Sequence, residues 1–326
     1  MSFLDHLIVR TLPLVPKPVV GRFSRRYIAG PTLEDAMRVV RELNAQGAMA
    51  TIDVLGEEIQ NREQAIAYAS QYISVLDEIA RLRVDSNISV KPTALGLKLD
   101  RDLCHEQIAR VVARARDLES FVRLDMEDSS CTSDTIEIHN RLKRDFTNVG
   151  LAIQAYLRRS WPDVRSLAAA GANFRLCKGI YVEPRRIAFK DPLIIRKNYR
   201  RLLEEMLSRG CYVGIATHDE SLVWEGIRLT ETLGIPRDRF EFQMLLGVEE
   251  ELRRILIDAG YRLRVYVPYG KEWYAYSVRR LKENPALAGQ VFRSLVRGLV
   301  PGQARIGSAA EGGRHEAPID KIVRRP

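Results

Sequence analysis

The sequence feature that most constrains the fold is a regular alternation of short apolar, β-rich runs with stretches of helical periodicity. Eight such runs occur between Met49 and Val267, and helical patterns separate them. This alternation is typical of a (β/α)8 barrel, in which the strands form a closed parallel sheet. The predicted strands begin at Met49, Asn87, Phe121, Gly150, Asn173, Tyr212, Phe240 and Tyr261.

A doubly wound open sheet is the alternative architecture for the same alternation. If it bound a dinucleotide, such a sheet would be expected to carry a G-x-G-x-x-G turn after an early strand. The sequence contains no such turn. We therefore predict the α/β class, as a TIM-like barrel with extra N-terminal helices and a C-terminal helix over the barrel mouth.

Three segments are predicted along the chain. Residues 1–46 form an N-terminal helical segment, residues 47–300 form the catalytic barrel, and residues 301–326 lose periodicity and are predicted to be a disordered tail. Within the first segment, residues 32–46 are predicted to be helical, with Thr32 as the N-cap.

The composition limits the classes of partner. A net charge of +9 permits contact with nucleic acid or anionic lipid, but no nucleic-acid-binding motif is present and no such partner is predicted. No apolar run approaches the ~18 residues of a membrane-spanning helix, and no secretory signal is recognised. The cysteines are isolated, which predicts free thiols in a reducing compartment. They are Cys104, Cys131, Cys177 and Cys211.

Polar residues stand near the C-terminal end of every predicted strand, where the chemistry of such barrels gathers. The lysines and arginines among these residues, together with a pair of arginines after the last strand, predict a positively charged mouth that suits an anionic ligand. In strand order the residues are Glu57 and Glu58, Lys91, Arg123 and Asp125, Gln154 and Tyr156, Arg175, Lys178 and Gly179, Thr217, His218 and Asp219, Gln243, and Tyr266.

A predicted helix after the last strand carries a second polar cluster. Four of its residues have the spacing i, i+3, i+4 and i+7 and therefore share one face. Its two adjacent guanidinium groups can grip a carboxylate or a phosphate. A solvated basic face is the alternative, which the surrounding aromatic residues disfavour. The four residues are Tyr276, Arg279, Arg280 and Glu283.

Two other mechanisms compete for the strand-end residues. A metal-dependent hydrolase could use Asp125, Glu127, Asp128 and His218 as ligands, but such barrels usually place an H-x-H pair on the first strand, and this one has none. No Ser or Cys stands in a GxSxG-like turn, so an organic cofactor is expected to carry the chemistry. Asp125 could also be purely structural, capping a helix or pairing with Arg123.

The motifs taken together resemble the proline dehydrogenases, flavin-dependent enzymes that oxidise L-proline to Δ1-pyrroline-5-carboxylate. The similarity runs from about Thr32 to Leu299, and the chain looks like the short monofunctional bacterial form. The motifs are LGEE after strand 1, SVKPTALGL at 89–97, FVRLDMEDS at 121–129, LAIQAYL at 151–157, FRLCKGIYVEP at 174–184, ATHD at 216–219, FEFQML at 240–245 and YVPYG at 266–270.

The resemblance implies a set of substrate-binding and catalytic residues. Arg279, Arg280 and Lys91 would bind the substrate carboxylate, and Glu283 would support Arg279. Asp125 would organise the charged pocket. The residues implied to pack around the pyrrolidine ring are Leu176, Tyr266 and Tyr276.

The resemblance also implies FAD as the cofactor, bound without a Rossmann motif, and no metal. Hydride would pass from the substrate to flavin N5, and the electrons would then reach a membrane quinone. The implied protein is cytoplasmic and able to contact the inner face of the cell membrane, and a homo-oligomer is left open. The implied flavin contacts are Gln154, Arg175, Cys177, Lys178, Gly179, Tyr181, Thr217, His218, Gln243 and Arg280.

Two alternatives to a proline dehydrogenase are weighed. A hydroxyproline dehydrogenase is the near competitor, and Tyr266 argues against it because its ring crowds the position of a substrate hydroxyl. A non-catalytic flavin- or amino-acid-binding barrel would be expected to have lost Lys91, Asp125, Arg279 or Arg280, and all four are present.

Overall fold

The computed structural model describes residues 26–56, 59–274 and 277. In this part of the chain eight parallel strands follow one another in sequence order around a closed barrel. The predicted (β/α)8 architecture is therefore confirmed, with all eight strands at the predicted places. They are β1 Met49–Val54, β2 Ser86–Val90, β3 Val122–Leu124, β4 Val149–Gln154, β5 Phe174–Cys177, β6 Val213–Ala216, β7 Phe240–Leu245 and β8 Leu263–Tyr269.

In the described ranges one helix precedes β1, and a helix connects each pair of consecutive strands. The helix Pro192–Ser208 begins directly after a capping aspartate. The Asp191 carboxylate accepts the Leu193 amide, and Pro192 has the fixed φ of a first helical residue. The helices are α1 Leu33–Ala45, α2 Arg62–Leu82, α3 Arg101–Asp117, α4 Thr132–Leu142, α5 Ser160–Ala169, α6 Pro192–Ser208, α7 Glu220–Thr232 and α8 Glu250–Asp258.

The helix α1 before the barrel has the predicted N-cap. The Thr32 hydroxyl accepts the Asp35 amide, while the Asp35 carboxylate accepts the amide of Thr32. This capping box satisfies two amide groups that the first turn leaves unpaired. The predictions for residues 1–25, for the C-terminal helix beyond 277 and for the tail at 301–326 lie outside the described residues.

Strand register decides which side chains enter the barrel. Residues that are in register on neighbouring strands point to the same side of a sheet. Ser89 is in register with Arg123, and Gln243 is in register with Arg264, and these polar residues face the barrel interior. The alternate residues, such as Ile215, face the helices.

The apolar core lies between the strands and the surrounding helices. Tyr72 of α2 and Tyr199 of α6 are fully buried there, beside aliphatic residues from the helix-facing side of the sheet. Because this layer carries most of the apolar burial, the barrel interior is left to polar and charged side chains. None of the helices in the described ranges is long and apolar enough to cross a membrane.

Candidate active site at the C-terminal mouth of the barrel

A buried ion pair lies at the lower, N-terminal level of the barrel interior. The Arg264 guanidinium on β8 donates to both carboxylate oxygens of Glu241 on β7, with Nε–Oε1 at 2.8 Å and Nη2–Oε2 at 3.1 Å. Burial alone would raise the pKa of Glu241, but Arg264 and hydrogen bonds from Gln243 and Tyr212 lower it to about 2. Glu241 is therefore a carboxylate at neutral pH.

Arg175 on β5 lies at the centre of the interior and joins three strands. Its Nε donates to Gln243 Oε1 at 2.6 Å, and its Nη1 donates to Asp125 Oδ1 at 2.5 Å and to Ser89 Oγ at 2.8 Å. Its guanidinium also lies 5.3 Å from the centre of the Tyr266 ring. These contacts fix the orientation of a cation at the base of the mouth.

Asp125, just beyond β3, connects Arg175 to the last strand. Its Oδ2 accepts the Tyr266 hydroxyl at 2.8 Å, and its Oδ1 accepts Ser89 Oγ at 2.6 Å. The suggested pairing of Asp125 with Arg123 is wrong. Arg123 donates instead to the carbonyl and side-chain oxygens of Asn173, at 2.7 and 2.6 Å.

Lys91 directly follows β2 and forms a buried ion pair with Asp53 of β1. The Tyr72 hydroxyl reaches Asp53 Oδ1 from the helix side at 3.2 Å, and the Lys91 ammonium is 3.5 Å from the Tyr266 hydroxyl. Burial raises the pKa of the Asp53 carboxyl, and the Lys91 ammonium opposes that rise. Asp53 thereby holds the lysine head group at the mouth.

The rim after β5 and β6 carries a second group of charges. Lys178 Nζ and Arg196 Nε both donate to Asp219 Oδ2, at 3.1 and 2.6 Å. Burial acts to raise the pKa of Asp219, but the two cations and the Ser221 hydroxyl lower it well below its usual range. These contacts tie the β5–α6 loop, which begins at Lys178, to the end of β6.

Comparison with known proteins assigns the chain to a family. Residues 36–293 match the family model described as proline dehydrogenase. The chain belongs to the proline dehydrogenase family. The predicted family is confirmed, and with it an oxidoreductase that acts on CH–NH donors.

Several relatives support the assignment. Proline dehydrogenase 1 of Bacillus subtilis subsp. natto is 36% identical over 274 residues, which cover 84% of this chain and 91% of that protein. Proline dehydrogenase of Deinococcus radiodurans is 35% identical over 300 residues, with coverage of 88% and 97%. The crystal structure of proline utilization A (PutA) from Bdellovibrio bacteriovorus superimposes with a TM-score of 0.76 at 26% identity. The match covers 82% of this chain and 33% of that one, so this chain corresponds to about a third of PutA.

The structure brings most of the predicted family residues to one end of the barrel. Gln154 donates to the Glu127 carbonyl at 2.7 Å, and the Leu245 amide donates to His218 Nε2 at 2.9 Å. The Thr217 hydroxyl accepts the Asp219 amide at 3.1 Å. These residues sit at the ends of β4, β6 and β7, on the rim of the mouth.

Backbone packing shapes the turn after β5. Gly179 has a φ of +105°, and a Cβ atom there would lie 2.1 Å from the Tyr156 ring. Only glycine is compatible with both this φ and this contact. Burial raises the pKa of the neighbouring Cys177 thiol to about 12, and Cys177 is in register with Gln154 and faces the interior.

Leu176 is placed differently from the prediction. It is in register with Ile153 and Ile215, and Ile215 contacts the α7 position Gly226. Its side chain therefore faces the helices and does not reach a ring bound in the mouth. Leu245, in register with the inward-facing Tyr266 and partly exposed, is the leucine on the mouth side.

The residues suggested as metal ligands make hydrogen bonds and ion pairs with other groups of the protein. Glu127 accepts the amide and hydroxyl of Thr93, at 2.9 and 2.6 Å. Asp128 pairs with Lys98 at 3.1 Å, and His218 accepts a backbone amide. Among the residues with described positions, no group of three or more His, Cys, Asp or Glu side chains could hold a metal ion.

Some of the predicted site residues lie outside the described residues. One residue of the site was not predicted from the sequence. Tyr276, Arg279, Arg280 and Glu283 lie outside the described residues, as do Glu57 and Glu58. Asp53 was missed because its strand reads as a simple apolar run. The signal was available, since a carboxylate inside a buried strand requires a partner.

Proposed function

We propose that this protein oxidises L-proline to Δ1-pyrroline-5-carboxylate at the C-terminal mouth of the barrel, with FAD as its flavin. The observation that carries the proposal is the convergence of Lys91, Asp125, Arg175 and Tyr266 from four strands onto one end of the barrel. That end is where barrel enzymes carry out their chemistry. Membership in the proline dehydrogenase family supports the same reaction.

The residues at the ends of β4 to β7 fit a flavin dinucleotide. Amide, hydroxyl and cationic donors meet there, and the ring carbonyls and phosphates of such a cofactor are acceptors. When bound, the flavin supplies the hydride acceptor. The residues proposed to hold it are Gln154, Arg175, Cys177, Lys178, Gly179, Tyr181, Thr217, His218, Gln243 and Arg280.

The other side of the mouth is proposed to bind the amino acid. The Lys91 ammonium, held by Asp53, is directed to the substrate carboxylate. Arg279 and Arg280, with Tyr276 and Glu283, are proposed from the sequence to complete this clamp.

Asp125 and Tyr266 are proposed to fix the substrate ring rather than to exchange protons with it. The Tyr266 hydroxyl donates a hydrogen bond to Asp125, so its oxygen lone pairs face Lys91. Leu245 provides an apolar surface next to Tyr266. A rigid pocket of this kind lowers the barrier by holding the reacting carbon at a fixed distance from its acceptor.

Electron transfer to a membrane quinone is part of the proposal. A net charge of +9 supports contact with an anionic membrane surface. We place the protein in the cytoplasm, peripheral to the inner face of the cell membrane. Homo-oligomer formation is compatible with this arrangement.

The decisive experiment is the absorption spectrum of the purified protein before and after anaerobic addition of L-proline. We expect flavin bands at about 380 and 450 nm that bleach with proline. Bleaching by hydroxyproline but not by L-proline would assign hydroxyproline as the substrate and leave the proposed type of reaction unchanged. A colourless protein that cannot be reconstituted with FAD would refute the proposal.

Two lysines provide a matched pair of variants for the carboxylate clamp. Lys91→Met should raise the KM for L-proline at least roughly tenfold, because a charge-assisted hydrogen bond is lost. Lys98→Met is the control, since Lys98 pairs with Asp128 on the exposed surface. Thermal melts of both variants establish that they are folded. Equal KM values for the two variants would remove Lys91 from the substrate site.

A further inference from the structure

Gln243 links Arg175 to the buried ion pair below it. Its carbonyl oxygen Oε1 accepts Arg175 Nε at 2.6 Å, and its amide nitrogen Nε2 donates to Glu241 Oε1 at 2.5 Å. Glu241 is in turn held by Arg264 on β8. A continuous chain of contacts therefore runs from the lower interior to Arg175 and Asp125 at the mouth.

The two ends of the Gln243 amide are chemically different, and its neighbours require one orientation. A carboxylate can only accept hydrogen bonds, so Glu241 must face the NH2 group. A guanidinium can only donate, so Arg175 must face the carbonyl oxygen. Rotating the amide by 180° would place donor against donor at Arg175 and acceptor against acceptor at Glu241.

The orientation depends on Glu241 being ionised and fixed in place. Glu241 is 2% exposed, and its second oxygen accepts the Tyr212 hydroxyl at 2.8 Å. Arg264 is also anchored, because its Nη1 donates to the Ala50 carbonyl at 2.7 Å. The carboxylate is thus held from two sides independently of Gln243.

The opposite side of the amide is shaped by Gly214 of β6. Gly214 is in register with Glu241. A Cβ atom at Gly214 would lie 2.5 Å from Gln243 Nε2 and 2.8 Å from its Cδ. An alanine at this position would displace the amide group without changing a charge.

We propose that Glu241 is a positioning residue: it fixes the amide of Gln243, which holds the Arg175 guanidinium against Asp125 in the orientation required at the cofactor. This inference rests on the proposed function in one respect, the assignment of Arg175 as a flavin contact. The geometric part, from Glu241 to Arg175, stands apart from it.

The test uses two variants that disturb the amide by different means. Glu241→Gln removes the requirement for one amide orientation, and Gly214→Ala displaces the amide sterically. Tyr212→Phe is the matched control, because it removes a hydrogen bond to the other oxygen of Glu241 and leaves the amide in place. Flavin content and melting temperature identify the folded, loaded proteins.

We expect the first two variants to weaken the preference for reduced flavin about tenfold, which is about 30 mV more negative for a two-electron couple. A displaced cation stabilises a reduced, anionic ring less well. The value of kcat should fall while the KM for L-proline changes little, because Lys91 is untouched. Tyr212→Phe should retain the potential and kcat of the unmodified protein.

Wild-type potential and kcat in folded, flavin-loaded Glu241→Gln and Gly214→Ala would overturn the proposal. An equal shift in Tyr212→Phe would also overturn it, since it would show that any disturbance of Glu241 has the same effect. If Glu241→Gln does not fold, Gly214→Ala decides alone.

A flavin-free measurement separates this inference from the proposed function. In a double-mutant cycle of Gly214→Ala and Arg175→Met, denaturant unfolding should show a coupling of roughly tenfold in the unfolding equilibrium constant. Additive effects would refute the link through Gln243 whether or not the protein binds flavin. Coupling in a protein that binds no flavin would support the link and refute the proposed function.

Discussion

The lower and upper levels of the barrel interior use the same types of side chain in different surroundings. Below, Arg264 and Glu241 are 7% and 2% exposed, and their partners come from neighbouring strands and backbone. Above, Asp125 and Tyr266 are partly exposed and open towards the mouth. A buried, fully paired charge specifies one arrangement of the strands, whereas a charge at the mouth can also meet a ligand.

The largest effect is expected from breaking the lower pair. Arg264→Met leaves Glu241 buried without its cation, which should lower the free energy of unfolding by about 3–5 kcal/mol. Guanidinium chloride titration measures this loss. The double variant Arg264→Met with Glu241→Met should recover much of it, because the unpaired charge is gone. A loss below about 1 kcal/mol in the single variant would contradict the lower level's structural role.

A buried histidine on α4, outside the barrel interior, is expected to make the stability of the protein depend on pH. Burial lowers the pKa of His139 to about 4, from an ordinary value of 6.5. Between these values the unfolded chain binds the extra proton, so stability falls as the pH falls. The loss should reach about 3 kcal/mol by pH 4.

The comparison variant for this prediction is His139→Leu. His139 is 1% exposed, and its Nε2 has no hydrogen-bond partner among the residues that the structure describes. Urea titrations at pH 6.5 and pH 5 should show a clear loss for the natural chain and a much smaller one for the variant. Glu241, with a pKa of about 2, stays ionised across this range. If both proteins lost the same free energy of unfolding between these two pH values, His139 would be excluded as the source of the acid sensitivity.

The smallest effect on stability is expected at the upper level. Asp125→Asn leaves Arg175 bonded to Ser89 and Gln243, so the free energy of unfolding should fall by only about 1–2 kcal/mol. The rate of flavin bleaching by L-proline should fall about a hundredfold, since Tyr266 and Arg175 lose their shared carboxylate. Stopped-flow absorbance measures that rate.

The control for the upper level is Ser89→Ala, which removes the uncharged hydroxyl that donates to Asp125 and accepts from Arg175. It should cost ~1 kcal/mol of stability and reduce bleaching far less than Asp125→Asn does. If Asp125→Asn destabilises the protein as much as Arg264→Met, the distinction between the two levels is lost.

The strands were predictable from the sequence because composition and period are local properties. Each apolar run became a strand, and Lys91, Asp125 and Gln243 were recognised as strand-end residues. The family resemblance implied that Leu176 packs on the substrate ring, but its register with Ile153 and Ile215 turns its side chain towards the helices. Neighbouring residues of a strand point to opposite sides, so a difference of one position reverses the side.

Partners separated by long stretches of sequence were beyond prediction. Asp53 meets Lys91 across 38 residues, and Arg175 meets Gln243 across 68. The run containing Asp53 gives no indication of which cation it pairs with. Glu241 and Arg264 were likewise recognisable as charges within strands, but only closure of the barrel brings them together.

The closure of the sheet has a consequence for biosynthesis. The first and last strands, β1 and β8, pair over six residues, from Met49 with Arg264 to Val54 with Tyr269. During translation the β1 edge therefore stays unpaired until more than two hundred further residues have been synthesised and β8 has left the ribosome. Such distant pairing slows folding, and an unpaired strand edge invites association with other chains. The nascent chain is most vulnerable to aggregation until Tyr269 has emerged.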